Sequence, residues 1–123
     1  MKAGNRIPGA RLRIVLDPDI AIGPGKADIL DGIRETGSIA AAGRRMGMSY
    51  KRAWLLVESM NACFSRPLVE TSRGGQARGG AALTPDGERV LDCYRRMETL
   101  TARAIHDEMA TLQAMIPDMS ERK

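Results

Sequence analysis

Hydrophobic and polar positions along the chain fall into a few short periods. Residues 10–16, ARLRIVL, alternate, so that Leu12, Ile14 and Leu16 share one face and Arg11 and Arg13 the other, as in a half-buried strand. DPDIAIGPGK follows, with two prolines and two glycines, and reads as a connection. Lys26–Thr36 predicts a first helix that buries Ile29, Leu30 and Ile33. Gly37 stands where a helix C-terminus favours a left-handed residue, and Ser38 can cap the helix after it. That second helix, Ser38–Met46, turns Ile39, Ala42 and Met46 inward and ends at Gly47. Ser49 caps a third, in which Ala53, Leu56, Val57 and Met60 form an apolar stripe at i, i+3, i+4 and i+7. At about 100° per residue, Lys51 and Leu55 lie opposite the stripe, with Trp54 and Glu58 on one shoulder and Arg52 on the other.

After Arg66-Pro67 the pattern becomes extended. LVETS and AALT read as two short strands, and RGGQARGG between them, with glycine at four of eight positions, reads as a flexible basic loop. A final helix opens with Thr84 as cap, Pro85 at its first position and Asp86 and Glu88 in its first turn. Its apolar positions run to about Ile116: Val90, Tyr94, Met97, Ile105, Met109, Leu112 and Ile116, with Thr101 the one polar interruption. Such a helix would span roughly 45 Å, more than so small a domain can cover. These seven residues are therefore expected to form a dimerisation seam.

Composition narrows the class. At 123 residues and 43% hydrophobic, the chain is expected to be one globular domain, and with 3% aromatics its core must be aliphatic and Met-rich. No apolar run reaches membrane-spanning length, and the start MKAGNRIPGARLRIVL lacks the run of a signal peptide, so a cytoplasmic location away from membranes is expected. Cys63 and Cys93, thirty residues apart without a CxxC or a nearby His, are expected to be buried free thiols. The net charge of +4 is unevenly spread: residues 1–84 hold 13 Lys and Arg against 7 Asp and Glu, and residues 85–123 hold 6 against 8. Between residues 38 and 84 the bases are Arg44, Arg45, Lys51, Arg52, Arg66, Arg73 and Arg78, and the acids only Glu58 and Glu70. A field of that sign attracts polyanions.

The break at Gly47 has a geometric purpose. Two crossed helices need a small residue at their contact, a residue tolerant of positive φ in the turn, and an apolar position on the second helix facing back. Gly43, Gly47 and the Ala53/Val57 pair supply these. The N-terminal turn of the third helix, with Ser49, Tyr50, Lys51 and Arg52, then projects outward, where basic and hydroxyl groups suit phosphates and base edges. The hairpin that follows makes a wing, able to lay Arg73 and Arg78 along phosphates or in a minor groove. Ser38, Arg44 and Arg45 complete the candidate DNA contacts, although the two arginines read equally as plain surface charge. Trp54, at the margin of the stripe, reads both as a support and as a contact. The predicted fold is mainly α with a small β-sheet: a winged helix-turn-helix over residues 1–84, then a long dimerisation helix and tail over 85–123.

Other chemistries fail on their motifs. Gly74 and Gly79 have the spacing of a phosphate-binding loop, but Gly80-Ala81 stands where Lys and Ser/Thr are required; GPGK at 23–26 fails because Ile20 occupies the first glycine's place. His106, the single histidine, has no second imidazole and is expected at the solvent or at a dimer edge. No nucleophile, base and acid can be assembled, so no enzyme activity, cofactor or metal is expected.

ETGSIAAAGRRMGMSYKRAWLLVESMN and PLVETSRGGQARGGAALTPDGERVL, with GPGK upstream and the long helix beyond, resemble the N-terminal DNA-binding domain of ModE-type, molybdate-responsive regulators, and more remotely the LysR-type winged helix. The resemblance covers residues 10–115. It implies a transcriptional regulator in which Ser49, Tyr50, Lys51 and Trp54 lie on the recognition helix, Arg73 and Arg78 on the wing, and the helix from Pro85 pairs with its copy in a homodimer on double-stranded DNA with a palindromic operator. ModE-type repressors continue into oxyanion-binding domains and this chain stops at Lys123, so molybdate sensing is not expected. The alternative is a winged-helix interaction module that pairs with a separate sensor protein.

Overall fold

The computed structural model describes residues 7–72 and 80–117. Nine elements follow in order: β1 (Ile14–Asp17), β2 (Ile20–Ile22), α1 (Pro24–Thr36), α2 (Ile39–Arg45), α3 (Tyr50–Cys63), β3 (Val69–Ser72), β4 (Gly80–Leu83), α4 (Pro85–Ala104) and α5 (His106–Ala114). This is a winged helix-turn-helix followed by a long C-terminal helical arm, with two small antiparallel sheets, β1-β2 and β3-β4. No helix among the described residues is long and apolar enough to cross a membrane.

The caps fall where the side chains can make them. Ser38 Oγ accepts from the Ala41 N–H, Ser49 Oγ from Arg52 and Thr84 Oγ1 from Gly87. Gly37 closes α1 at φ 73°, its N–H bonded to the Ile33 carbonyl. The core beneath is aliphatic, built around Ile29, Leu30 and Ile33 of α1, Val57 and Met60 of α3, and Leu91 of α4, all essentially inaccessible. A β-carbon on Gly32 would lie 2.8 Å from that of Ala42, so α1 and α2 cross almost backbone to backbone.

Several expectations need correcting. The first strand starts at Ile14 rather than Ala10, and DPDIAIGPGK is not all connection: Ile20–Ile22 pairs back on β1, with a register shift between Val15 and Asp17. Leu12 and Ile14 pack against the core, whereas Leu16, 54% exposed, stands at the mouth of an open groove with Ile22, Phe64 and Met97. The first helix begins at Pro24, two residues early, because proline suits its first position. The final helix is interrupted at Ile105 (φ −102°, ψ 8°) and ends at Ala114. The interruption is local, since Ile105 N–H still bonds the Thr101 carbonyl and Met109 N–H the Ile105 carbonyl. Cys63 is half-buried and Cys93 exposed, so neither is a core thiol.

Tyr94 also departs from its expected place. Its ring is fully buried and its hydroxyl donates to the Leu12 carbonyl at 2.7 Å, so it belongs to its own chain's core and not to a seam. Burial holds its phenol above the ordinary value, Glu98 acting in the same direction and Arg95 against it. Beside it an ionic cluster ties α4 to α1. Arg95 bonds Asp28, Asp31 and Glu98, each at 3.0 Å, while Arg34 meets Glu88 at 3.0 Å and Asp92 at 3.4 Å. Burial lowers the Arg95 pKa, but the hydrogen bonds its guanidinium donates to Asp28, Glu98 and Asp31 outweigh it, so the value is raised.

Candidate nucleic-acid interface

The candidate surface is made by one close contact and one turn. A β-carbon on Gly43 would lie 2.9 Å from that of Ala53, which leaves α2 and α3 room to cross only because position 43 is glycine. Gly47 takes φ 72°, and the Met48 N–H returns to the Gly43 carbonyl at 2.9 Å. The chain is thereby reversed within four residues, and α3 starts at Tyr50 with its first turn turned out to solvent.

Tyr50 is 58% exposed and stacks on Trp54, ring centroids 6.5 Å apart and planes at 24°. Trp54 is half-buried and packs against the core margin, so the stack stiffens the exposed ring above it. Lys51, Arg52 and Arg44 are exposed, and their charged ends meet no carboxylate among the described residues. Arg45 differs: its Nη1 pairs with Glu35 Oε1 at 2.7 Å, which ties α2 to the end of α1. Arg66, counted in the basic stretch, is held by both oxygens of Asp86 at 3.0 and 3.2 Å. Acidic groups gather elsewhere, on the α1–α4 flank around Arg34 and Arg95.

The wing is fastened beside this surface. β3 and β4 pair from Val69↔Leu83 to Ser72↔Gly80, Gly80 bridges to Ser38, and Ala81 N–H donates to the Gly37 carbonyl at 2.9 Å. The base of the hairpin thus sits against the start of α2, where Ser38 is occupied as a cap. Arg73 and Arg78 lie outside the described residues.

Two residues escaped the sequence reading of this surface. Asn61 Oδ1 accepts from Leu68 N–H at 2.8 Å and Val69 N–H at 3.1 Å, and its Nδ2 donates to the Val69 carbonyl, so one side chain fixes the first wing strand on α3. Its signal was a polar residue four positions after Val57, in register with the apolar stripe. Leu55 is 52% exposed at the centre of the outward face. The helical wheel puts it there, but an exposed leucine carries no contact signal of its own in the sequence.

The seam residues divide. Val90 and Met97 pack partly on the core, Ile105 and Met109 are half-buried, and Leu112 (63%) and Ile116 (51%) are open to solvent, joined by Leu100 and Met115. His106 is exposed, its Nδ1 3.4 Å from Asp107 Oδ1. Among the described residues no three metal-ligating side chains come together.

Comparison with known proteins follows the same lines. The family model for the bacterial regulatory helix-turn-helix protein, lysR family, matches residues 26–88. The molybdenum-pterin-binding protein MopB of Rhodobacter capsulatus is 42% identical over 84 residues, 68% of this chain and 31% of its own length. The transcriptional regulator ModE of Haemophilus influenzae is 37% identical over 108 residues, 85% of this chain and 42% of its own. This chain therefore spans less than half the length of those relatives. Among solved structures, the DNA-binding domain of CbnR in complex with DNA matches at TM-score 0.57 and 25% identity, over 72% of this chain and 95% of that one. Full-length LysG of Corynebacterium glutamicum with bound Arg matches at 0.55 and 25%, over 78% of this chain and 31% of that one.

Proposed function

The chain belongs to the lysR family of bacterial regulatory helix-turn-helix proteins, and from that premise we propose that it is a sequence-specific transcriptional regulator of the cytoplasm, a homodimer on a palindromic operator in double-stranded DNA. The observation that carries the reading is the outward first turn of α3, with Lys51 and Arg52 meeting no carboxylate among the described residues and Tyr50 stiffened on Trp54. In this mechanism α3 enters the major groove. Ser49, Tyr50, Lys51 and Arg52 meet phosphates and base edges at its start, and Leu55 faces a thymine methyl. Arg44 and the Ser38 end of α2 flank one strand, Arg45 serving mainly to hold α2 on α1, while Arg73 and Arg78 reach from the wing. The distal half of the arm, from Met97 through Ile105, Met109, Leu112 and Ile116, pairs with its copy and sets the half-sites about one helical turn apart. Residues 85–117 then serve two purposes, core completion by Leu91 and Tyr94 and pairing beyond them. No catalytic step is assigned. Kinship with ModE and MopB makes genes of molybdenum metabolism the first place to look for an operator.

Selection of genomic fragments with the purified protein tests the reading. A recurrent two-fold-symmetric sequence is expected, with retention lost in Lys51→Ala and weakened in Arg78→Ala. Fragments recovered at random, or equal retention of both variants, would overturn it.

A further inference from the structure

The GPGK segment, which lacks the residues of a nucleotide loop, borders a groove that shares Arg52 and Leu55 with the proposed DNA-reading turn and adds Arg13 and Lys26 from outside it. Between it and α3 lies an open groove of 660 Å³ into which Arg13, Lys26 and Arg52 converge from three separate segments, with Gly23 and Gly25 on one wall and Leu55 beside Arg52. No carboxylate among the described residues lines it. Lys26 Nζ donates to the Ala21 carbonyl at 2.8 Å, which pins the ammonium at the rim while leaving two of its donors free. Arg13 and Arg52 are exposed and meet no acid among the described residues. Three cations lining one groove make a positive local potential, partly screened by salt, that a ligand bringing negative charge is drawn to.

The groove's position says which anion. On α3, Trp54, Glu58 and Asn61 face the wing strand, alongside Val69 and Thr71, whereas Arg52, Leu55 and Ser59 face this groove. At about 100° per residue these are opposite shoulders of one helix, and Lys51 projects between them. A helix seated in a major groove about 12 Å wide has a phosphate backbone along each shoulder. The wing serves one strand, and this groove is placed to serve the other. Gly25 leaves that wall open, since a β-carbon there would meet nothing within 4 Å.

We propose that the groove formed by Arg13, Lys26 and Arg52 holds phosphodiesters of the DNA strand on the side of α3 away from the wing. This inference rests on the DNA-binding reading and adds Arg13 and Lys26 to it as contacts to the backbone, blind to sequence. Discrimination between operator and random DNA stays with Lys51 and its neighbours.

The test is the salt dependence of binding by the full chain, measured for an operator duplex recovered by selection and for a random duplex of equal length. The variants are Arg13→Gln and Lys26→Gln, singly and together, because glutamine keeps a stem and a donor for the Ala21 carbonyl and preserves the fold. Each lost phosphate contact should lower the steepness of log K against log salt by about 1 per protomer. Affinity for both duplexes should fall by a common factor, and neutral methylphosphonate linkages on the strand away from the wing should abolish the difference between wild type and double variant. An unchanged slope in the double variant, with Lys51→Ala still impaired, overturns this proposal alone. So does a loss confined to the operator, or one that persists on the neutral linkages. Failure of the wild type to bind either duplex overturns the DNA reading and this inference with it.

Discussion

Gly43 and Ala53 bring α2 and α3 into contact so closely that a β-carbon at position 43 would stand 2.9 Å from the one at 53. The neighbouring atom is a methyl fixed to a helix, not the free end of a long side chain, so the helices themselves must move. Gly43→Ala is expected to cost about 1–3 kcal/mol, read by chemical denaturation, and to weaken DNA binding beyond what the stability loss explains. Gly25→Ala, where the same group meets open space, is the control and should leave stability near wild type. Equal stability of the two variants would show that α2 and α3 have room to spare at their crossing.

Asn61 governs the wing through three hydrogen bonds to residues 68 and 69. Asn61→Ala leaves two partly buried backbone N–H groups and a carbonyl without that partner, at about 1–3 kcal/mol. The more specific expectation concerns exchange: amides of β3 and β4 should exchange with solvent faster, while those of α1 keep their protection. Uniform loss of protection through the chain would make Asn61 a plain contributor to stability and not a holder of the wing.

Tyr94 and Leu12, 82 positions apart, are joined by the phenol's bond to a carbonyl. Because burial raises the phenol's pKa in the folded state, its contribution to stability is complete below the unfolded value of about 10. That contribution disappears as pH climbs through the higher folded value. Thermal midpoints of the wild type are therefore expected to fall above about pH 10 more steeply than those of Tyr94→Phe. At neutral pH the variant should be less stable by about 1 kcal/mol, the worth of one such bond. Parallel pH profiles would remove Tyr94 as the titrating group.

The parts of the fold legible in the sequence are those whose signals lie within a few residues of one another. Ser38, Ser49 and Thr84 cap the helices they precede, Gly47 makes its turn at positive φ, and Gly43 meets Ala53. What stayed hidden is non-local. Ile20–Ile22 becomes a strand only because β1 lies opposite, Tyr94 is core only because Leu12 reaches it, and Arg95 finds Asp28 and Asp31 more than sixty positions away. Tyr94 falls within the predicted seam for a related reason. Periodicity gives a helix its apolar face but not the identity of what covers it, and the near half of this arm is covered by its own chain. The cationic groove has the same character, since Arg13, Lys26 and Arg52 are unremarkable one at a time.

The distal arm carries the last prediction. Leu112 is 63% exposed, Met115 75% and Ile116 51%, three large apolar side chains within five positions, where α5 carries Asp107 and Glu108 only at its start. Full burial of each would contribute roughly 1.5–3 kcal/mol, enough together to favour pairing of two copies. Leu112→Asp with Ile116→Asp should therefore abolish a two-chain mass in light scattering at concentrations where the wild type shows one. The helical signal and denaturation midpoint of the protomer should change little, because neither side chain supports the core. Operator binding should weaken far more than binding to a single half-site, since only the paired protein engages both halves at once. A wild type that already runs as one chain at high concentration would dissociate the arm from pairing and leave α3 to bind alone.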